Sequence, residues 1–247
     1  MNQPAVERIE NRPLSDRALE ALLRAIDDDA FPGGRLPPES DLALMLGVSR
    51  TTLRGALHTL EVDGLISRRR GRGTFVNSRL LRSTMRLNRL VPFTTLIAQC
   101  GHEPSVGRQT HRQDTISARL AEALGVAPGA PCVCVERLLR AGTEPVMAVC
   151  DIVPTDRLAV GVADIREADT TFAFFDANCR AGIDYATSEI VPRVATDDEP
   201  AGLGLPPGEP YIELVEILFS RDHDPLGVSR VGVNDRLVRL SLLRRDS

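Results

Sequence analysis

Two arginines one helical turn apart, Arg50 and Arg54, stand among three hydroxyls, Ser49, Thr51 and Thr52. Guanidinium forks and small hydroxyls are the groups that meet phosphate oxygens and the acceptor edge of guanine. The surrounding residues say how they would be held. Ser49 is a good N-cap, because its hydroxyl can accept from a free amide of the first turn. Leu53, Ala56, Leu57 and Leu60 then recur at i, i+3, i+4 and i+7, which makes one apolar helix face. Arg50, Thr51, Arg54 and His58 fall off that face. The alternative is a solvated helix face carrying ordinary arginines.

A second cationic cluster, Arg69-Arg70-Gly71-Arg72-Gly73, separates strand-like runs at 65–68 and 74–76. This pattern predicts a β-hairpin with an arginine-rich, glycine-punctuated tip. Such a tip is narrow enough to enter a minor groove, where the negative potential favours arginine. Glycine also lets the backbone approach closely. The alternative is a surface hairpin that happens to be basic.

Two shorter elements must position these groups. Ser15-Asp16 can cap a first helix whose apolar stripe is Leu19, Leu22, Leu23 and Ile26, ended by the acidic run 27–29 and by Phe31-Pro32-Gly33-Gly34. Pro38 can open a second, carrying Leu42, Leu44, Met45 and Leu46, which Gly47 ends in the left-handed region. A short helix, a tight turn and a capped basic helix form a helix-turn-helix. The hairpin after Asp63-Gly64 adds a wing. Residues 1–11 read as a loose tail.

The totals agree with a two-part chain. A length of 247 residues, 43% hydrophobic content and a net charge of -4 describe a folded protein of one large or two ordinary domains. Residues 50–90 hold ten Arg against Glu61 and Asp63, whereas 91–247 hold fifteen Arg against twenty-three Asp and Glu. A basic segment on an acidic body predicts a polyanion-binding end and a separate second domain. No apolar run is long enough to span a bilayer. The N-terminus, with Glu7 and Glu10, is no signal peptide, so the expected location is the cytoplasm, with no membrane partner. Five cysteines, Cys100, Cys132, Cys134, Cys150 and Cys179, argue against a disulfide framework and read as small buried apolar residues. No cofactor or metal site is expected.

The second part carries a near-repeat. Leu124-Gly125-Val126-Ala127-Pro128-Gly129-Ala130-Pro131 is echoed by Leu203-Gly204-Leu205-Pro206-Pro207-Gly208-Glu209-Pro210. An apolar strand follows each, then a turn ending at Pro145 or Pro225, a second strand, and Asp-Arg-Leu at 156–158 or 235–237. Helix-like segments at 117–124 and 197–203 precede the two units. Long hairpins imply an antiparallel sheet, here expected with helices on one side. A separate helix from about 171 to 181 carries Phe172, Phe174 and Phe175, which read as core.

Leu36-Pro37-Pro38-Glu39-Ser40, Gly47 to Arg54, Asp63-Gly64-Leu65-Ile66 and Gly71-Arg72-Gly73-Thr74-Phe75-Val76 resemble the GntR family of bacterial transcription regulators over residues 12–77. The resemblance implies that Arg50 and Arg54 read or clamp a major groove. It implies that Ser49, Thr51 and Thr52 contact phosphates and that Arg70-Gly71, with Arg72 beside it, enters the minor groove. Ser40 stands where many members have an arginine that contacts DNA. Residues 78–90, with Arg79, Arg82, Arg86 and Arg89, read as a linker.

About residues 85–243 are similar to the UTRA ligand-sensing domain of the HutC-type branch, on the Leu-Gly-x-x-Pro-Gly-x-Pro motif, Arg137, Pro145 and Pro154, which places such a domain at 91–247. The implied fold class is α+β: a winged helix-turn-helix followed by an antiparallel-sheet, chorismate-lyase-like domain. The implied effector pocket is lined by Phe93, Thr94, Thr95, Arg137 and, less directly, Arg230, where helix-start amides and a guanidinium would hold an acidic metabolite, phosphorylated or carboxylated. Leu139 and Val149 replace a second family arginine and a pocket glutamate. The alternative for Arg137 is a surface or sheet-edge arginine.

The resulting expectation is a metabolite-responsive repressor that binds a palindromic operator as a homodimer, since one winged helix covers few base pairs. An activator or dual regulator of the same fold is the alternative. An enzyme on the lyase-like domain is a remoter one, because His58, His102, His111 and His223 are scattered and no catalytic constellation is legible. An all-helical, metal-dependent ligand domain fits poorly with the strand-rich second half.

Overall fold

The computed structural model of the chain describes residues 14–27, 30–62, 64–77, 84–87, 90–198 and 200–241. The expected tail at 1–11 and most of the expected linker, including Arg79, Arg82 and Arg89, lie outside the described residues. The described residues form two compact units, 14–77 and 84–241.

The first unit holds α1 (Leu14–Asp27), α2 (Glu39–Leu46), α3 (Arg50–Val62), β1 (Ile66–Arg69) and β2 (Gly73–Val76). Apolar side chains at helical spacing drive its assembly. Leu19, Leu22 and Ile26 of α1 meet Leu42 and Ala43 of α2 and Leu53, Ala56, Leu57 and Leu60 of α3 in one core. Truncating Leu53, which is wholly buried, is expected to cost about 2–5 kcal/mol. Pro38 is the N-cap of α2 rather than its first residue, and Gly47 closes the helix at φ 64°. Leu42 and Ala43 of α2 are buried and Leu46 is partly buried against the same core, whereas Leu44 and Met45 are exposed. Ser15 and Asp16 lie within the first turn of α1.

The second unit is built on a six-stranded antiparallel sheet in the order β4-β5-β6-β9-β8-β7. Its strands are β4 (Pro104–Thr115), β5 (Pro131–Ala141), β6 (Glu144–Pro154), β7 (Tyr185–Val194), β8 (Pro210–Phe219) and β9 (Pro225–Val233). β3 (Thr84–Arg86) and β10 (Arg239–Ser241) form a separate parallel pair. The near-repeat is visible as the β5–β6 and β8–β9 hairpins, joined through the β6–β9 pair.

Side chains alternate across a strand, so register assigns each residue to a face. Val133, Val135, Arg137, Leu139, Met147, Val149, Asp151, Ser229, Val231, Leu214, Glu216 and Leu218 share one face. Against it pack α4 (Phe93–Gln99), through Leu96 and Ile97, and α6 (Thr171–Asn178), through Phe174 and Phe175. Cys132, Cys134, Ile152 and Val228 share the other face with α5 (Ala118–Leu124). Helices therefore cover both faces rather than one. Each strand of the central hairpins is apolar on both sides, which leaves two surfaces to cover. A second correction concerns 197–203, where the described residues 197–198 and 200–203 form bends and a turn instead of the expected helix, consistent with Pro200 and Gly202 in the run.

Candidate functional site

In the first unit Ser49 caps α3 as its sequence demands. Its Oγ accepts from the Thr52 amide at 3.0 Å and lies 2.8 Å from the Thr52 hydroxyl. Arg50, Thr51 and Arg54 are exposed on the turn that follows, and Thr52 is half-buried. Arg54 is not loose: its Nε donates to Glu39 Oε2 at 2.7 Å, bracing α3 against the start of α2. Glu39 also lies 3.5 Å from Arg68, which reaches Glu61 at 3.4 Å. Ser40 is exposed and hydrogen-bonded to Asp41. Glu39 was not singled out from the sequence, although its place between two prolines and a helix face was a legible signal.

The hairpin tip forms a turn in which the Arg72 amide donates to the Arg69 carbonyl at 2.9 Å. Gly71 adopts φ 73°, a conformation that L side chains rarely take, and so sets the turn. Arg70, Gly71 and Arg72 are exposed, while Arg69 lies over the Phe75 ring at 5.2 Å. Leu36 donates to the Thr74 carbonyl, which ties the hairpin to the segment before α2.

In the second unit a cavity of about 250 Å³ opens on the sheet face that carries α4 and α6. Phe93, Thr94 and Arg137 line it together, with Leu139, Val149, Leu218 and Glu216. Thr95 does not line it and is exposed, because the α4 helix turns it outward. α4 is a single short helix of seven residues whose Thr95 amide already bonds the Pro92 carbonyl. Phe172 lines the cavity, whereas Phe174 and Phe175 are core as expected.

Arg137 is neither a surface nor a sheet-edge arginine. It is buried on a central strand, and its Nη1 donates to Asp151 Oδ2 at 2.6 Å, with side-chain exposures of 1% and 0%. Its Nε donates to the Ala168 carbonyl at 2.7 Å, its guanidinium stands 5.7 Å from the Phe174 ring, and its Nη2 has no hydrogen-bond partner among the described residues. Asp151 accepts in addition from the Thr171 hydroxyl at 2.9 Å. Asn178 fixes the same loop by pairing with the backbone of Arg166 in both directions. Arg137 thus holds the wall of the cavity, 168–172, onto the sheet. Asp151 was missed from the sequence; a lone acid within an apolar strand was the available signal.

The structure does not bring Arg230 to this cavity. Register turns it to the opposite face, where it and Arg193 pair with buried Glu213 at 2.7 Å and 2.8 Å. That face opens a second cavity of about 580 Å³, lined also by Cys132, Cys134 and Cys150. All five cysteines are free thiols, and Cys132 and Cys134 share a face as their spacing predicts. Cys150 donates to Cys134 and Arg112 stands nearby, which holds the Cys134 thiol down at about 7 against its burial. Burial and the Cys134 charge push Cys132 up to about 12. Among the described residues no group of His, Cys, Asp and Glu is arranged to hold a metal ion, and no helix is long and apolar enough to cross a membrane.

Comparison with known proteins bears on both units. Residues 14–76 match the family model described as bacterial regulatory proteins, gntR family, and residues 99–233 match the UTRA domain. An HTH-type transcriptional regulator of Mycobacterium tuberculosis is 31% identical over 87% of this chain and 80% of its own length. A probable fructoselysine utilization operon transcriptional repressor of Shigella flexneri is 25% identical over 96% and 97%. Among solved structures, YydK of Bacillus subtilis superposes with a TM-score of 0.67 at 16% identity, over 95% of this chain and 100% of the other. PhnF of Mycobacterium smegmatis gives 0.58 at 23% identity, over 93% and 100%.

Proposed function

The chain belongs to the GntR family of bacterial regulatory proteins and is a transcriptional regulator of GntR/UTRA type, and from that premise we propose that it is a cytoplasmic, metabolite-responsive repressor. It binds a palindromic operator as a homodimer, because two heads supply the contact area that one winged helix lacks. Residues 12–77 form the DNA-binding domain, 78–90 the linker and 91–247 the effector and dimerisation domain. No catalytic role is assigned.

One observation carries this reading: a Ser49-capped helix presents exposed Arg50 and Arg54 beside a hairpin whose glycine turn presents Arg70 and Arg72. Arg50 and Arg54 take the base edges, with Ser40, Ser49, Thr51 and Thr52 on phosphates and the Arg70-Gly71-Arg72 tip in the minor groove. The effector occupies the 250 Å³ cavity and contacts Phe93, Thr94 and Arg137. It is a small carboxylate-bearing metabolite rather than a phosphorylated one. Arg137 is already engaged by Asp151, and Leu139 and Val149 line the cavity with hydrocarbon. The ligand acts through differential affinity for the states that do and do not bind DNA.

The test is a gel-shift titration on DNA upstream of the protein's own gene, with Arg50→Ala/Arg54→Ala alongside. Each lost base contact is expected to cost about 1–3 kcal/mol of discrimination, with an unchanged circular dichroism spectrum. Retained affinity and sequence preference in the double variant would sink the reading.

A further inference from the structure

Duplication of the hairpin places a base and an acid at equivalent points of one cavity. Aligning Pro131 of β5 on Pro210 of β8 sets Arg137 against Glu216 and Leu139 against Leu218. Strand registers agree: Arg137 pairs with Val149 in the first hairpin, and Glu216 with Ser229 in the second. All four side chains point to the face carrying α4 and α6, and Arg137 and Glu216 both line the cavity there. Three strand spacings separate β5 from β8, about 14 Å of sheet at ~4.8 Å each.

Neither end is saturated. Arg137 commits Nη1 to Asp151 and Nε to Ala168, and among the described residues its buried Nη2 has no acceptor. Glu216 is buried and accepts from the Ser188 hydroxyl at 2.7 Å, and among the described residues no basic side chain pairs with it. Ser229, in register between Asp151 and Glu216, has a buried hydroxyl without a hydrogen-bond partner among the described residues. The walls between the two ends are hydrocarbon, from Phe93, Leu139, Val149 and Leu218. Charge is unbalanced as well: among the described residues one guanidinium faces the carboxyl groups of Asp151 and Glu216, and Asp169 lines the same cavity.

We propose that the effector is a small zwitterion, with a carboxylate on Arg137, a protonated nitrogen on Glu216 and a short hydrocarbon spacer over Leu139 and Val149. This rests on the reading of the cavity as the effector site. A dianionic phosphate ester would add charge to a floor that already carries excess acid. An ammonium group balances that floor instead. Burial, with the Asp151 charge behind it, lifts the Glu216 carboxyl above its ordinary range. A cation at contact offsets both effects.

Calorimetric titration of the full chain tests this. The probes are γ-aminobutyrate, δ-aminovalerate and ε-aminocaproate, which vary the spacer. Pentanoate and pentylamine are one-ended controls, and pentyl phosphate is the dianion. At least one amino acid is expected to bind tenfold or more tighter than every control, the scale of one charge-assisted hydrogen bond. Glu216→Gln is expected to remove that advantage and bring the amino acid level with pentanoate. The proposal is overturned if no amino acid binds, if pentanoate or pentyl phosphate equals them, or if Glu216→Gln leaves the advantage intact. Val149→Phe, which fills the cavity, separates the two readings. Pentanoate or phosphate binding that it abolishes leaves the cavity standing and the zwitterion refuted. Ligand binding that survives it refutes the cavity as well.

Discussion

Removing Arg137 by itself is expected to damage the second unit before it reports on any ligand. Arg137 and Asp151 are almost wholly inaccessible and 2.6 Å apart. Breaking a buried pair from one side leaves an uncompensated charge, at a cost of about 3–5 kcal/mol. For a unit of this size each kcal/mol lowers Tm by roughly 2–4 °C, so Arg137→Met or Asp151→Leu is expected to lose about 6–20 °C. The double variant removes both charges and recovers much of that loss. It does not recover all, because the Ala168 carbonyl and the Thr171 hydroxyl lose their partners, at about 1–3 kcal/mol for a buried unsatisfied group. Urea titration followed by far-ultraviolet circular dichroism measures the four corners of the cycle. A coupling of about 2 kcal/mol or more between the two sites is expected, and single losses under about 1 kcal/mol that simply add would refute the argument. The corollary is practical: lost binding in Arg137→Ala does not locate a ligand, whereas Glu216→Gln and Val149→Phe do.

Three further outcomes follow from the geometry. Glu39→Gln releases Arg54 and Arg68 from a shared carboxylate; stability is expected to change little, because these ion pairs are solvent-exposed, while non-operator DNA binds more tightly with a salt slope steeper by roughly one. Fluorescence anisotropy across salt concentrations reads this, and an unaltered slope would remove Glu39 as a restraint. Burial raises the Glu216 carboxyl above its ordinary range, so the folded chain keeps a proton that the unfolded chain releases, and stability falls as pH rises from the unfolded value through the folded one. Glu216→Gln is expected to flatten that part of the stability–pH curve, and an identical curve in the variant contradicts the assignment. Cys134, held near 7 by the Cys150 hydrogen bond and by Arg112, is expected to be alkylated by iodoacetamide at neutral pH ahead of Cys132, which sits at about 12; peptide mass spectrometry decides the order.

Local rules carried the first unit almost completely. Ser49, the Leu53-Ala56-Leu57-Leu60 stripe and Gly47 each specify one conformation through neighbours within a few residues, and each took it. Leu44 and Met45, both exposed, mark where that logic stops: in a helix of two turns the apolar residues outnumber the inward positions. The second unit was legible as a repeat, hence as hairpins, but not as a packing. Which face α5 covers depends on β4–β9 registers that join segments far apart in sequence. The same registers send Arg230 to one face and Arg137 to the other, although both looked like cavity arginines. Asp151 and Glu216 were overlooked because an acid in an apolar strand carries meaning only once its opposite neighbour is known.

That dependence on register also explains why Arg137 does a different job from the one its sequence suggests. Leu139 and Val149 present hydrocarbon beside it, and Asp151 supplies a carboxylate one position along the same face as Val149. Arg137 then turns from a free clamp into a strut that ties β5, β6 and the Ala168 loop together. A strut holds its loop in place at all times, so only the part of its guanidinium left unpaired can discriminate between ligand-bound and ligand-free states. Asp151 is shared by Arg137 and Thr171, and its charge acts on Glu216. Binding at either end of the cavity therefore perturbs the network that holds α6. A ligand engaging both ends perturbs it twice, and a differential affinity of that kind is what a regulatory domain requires.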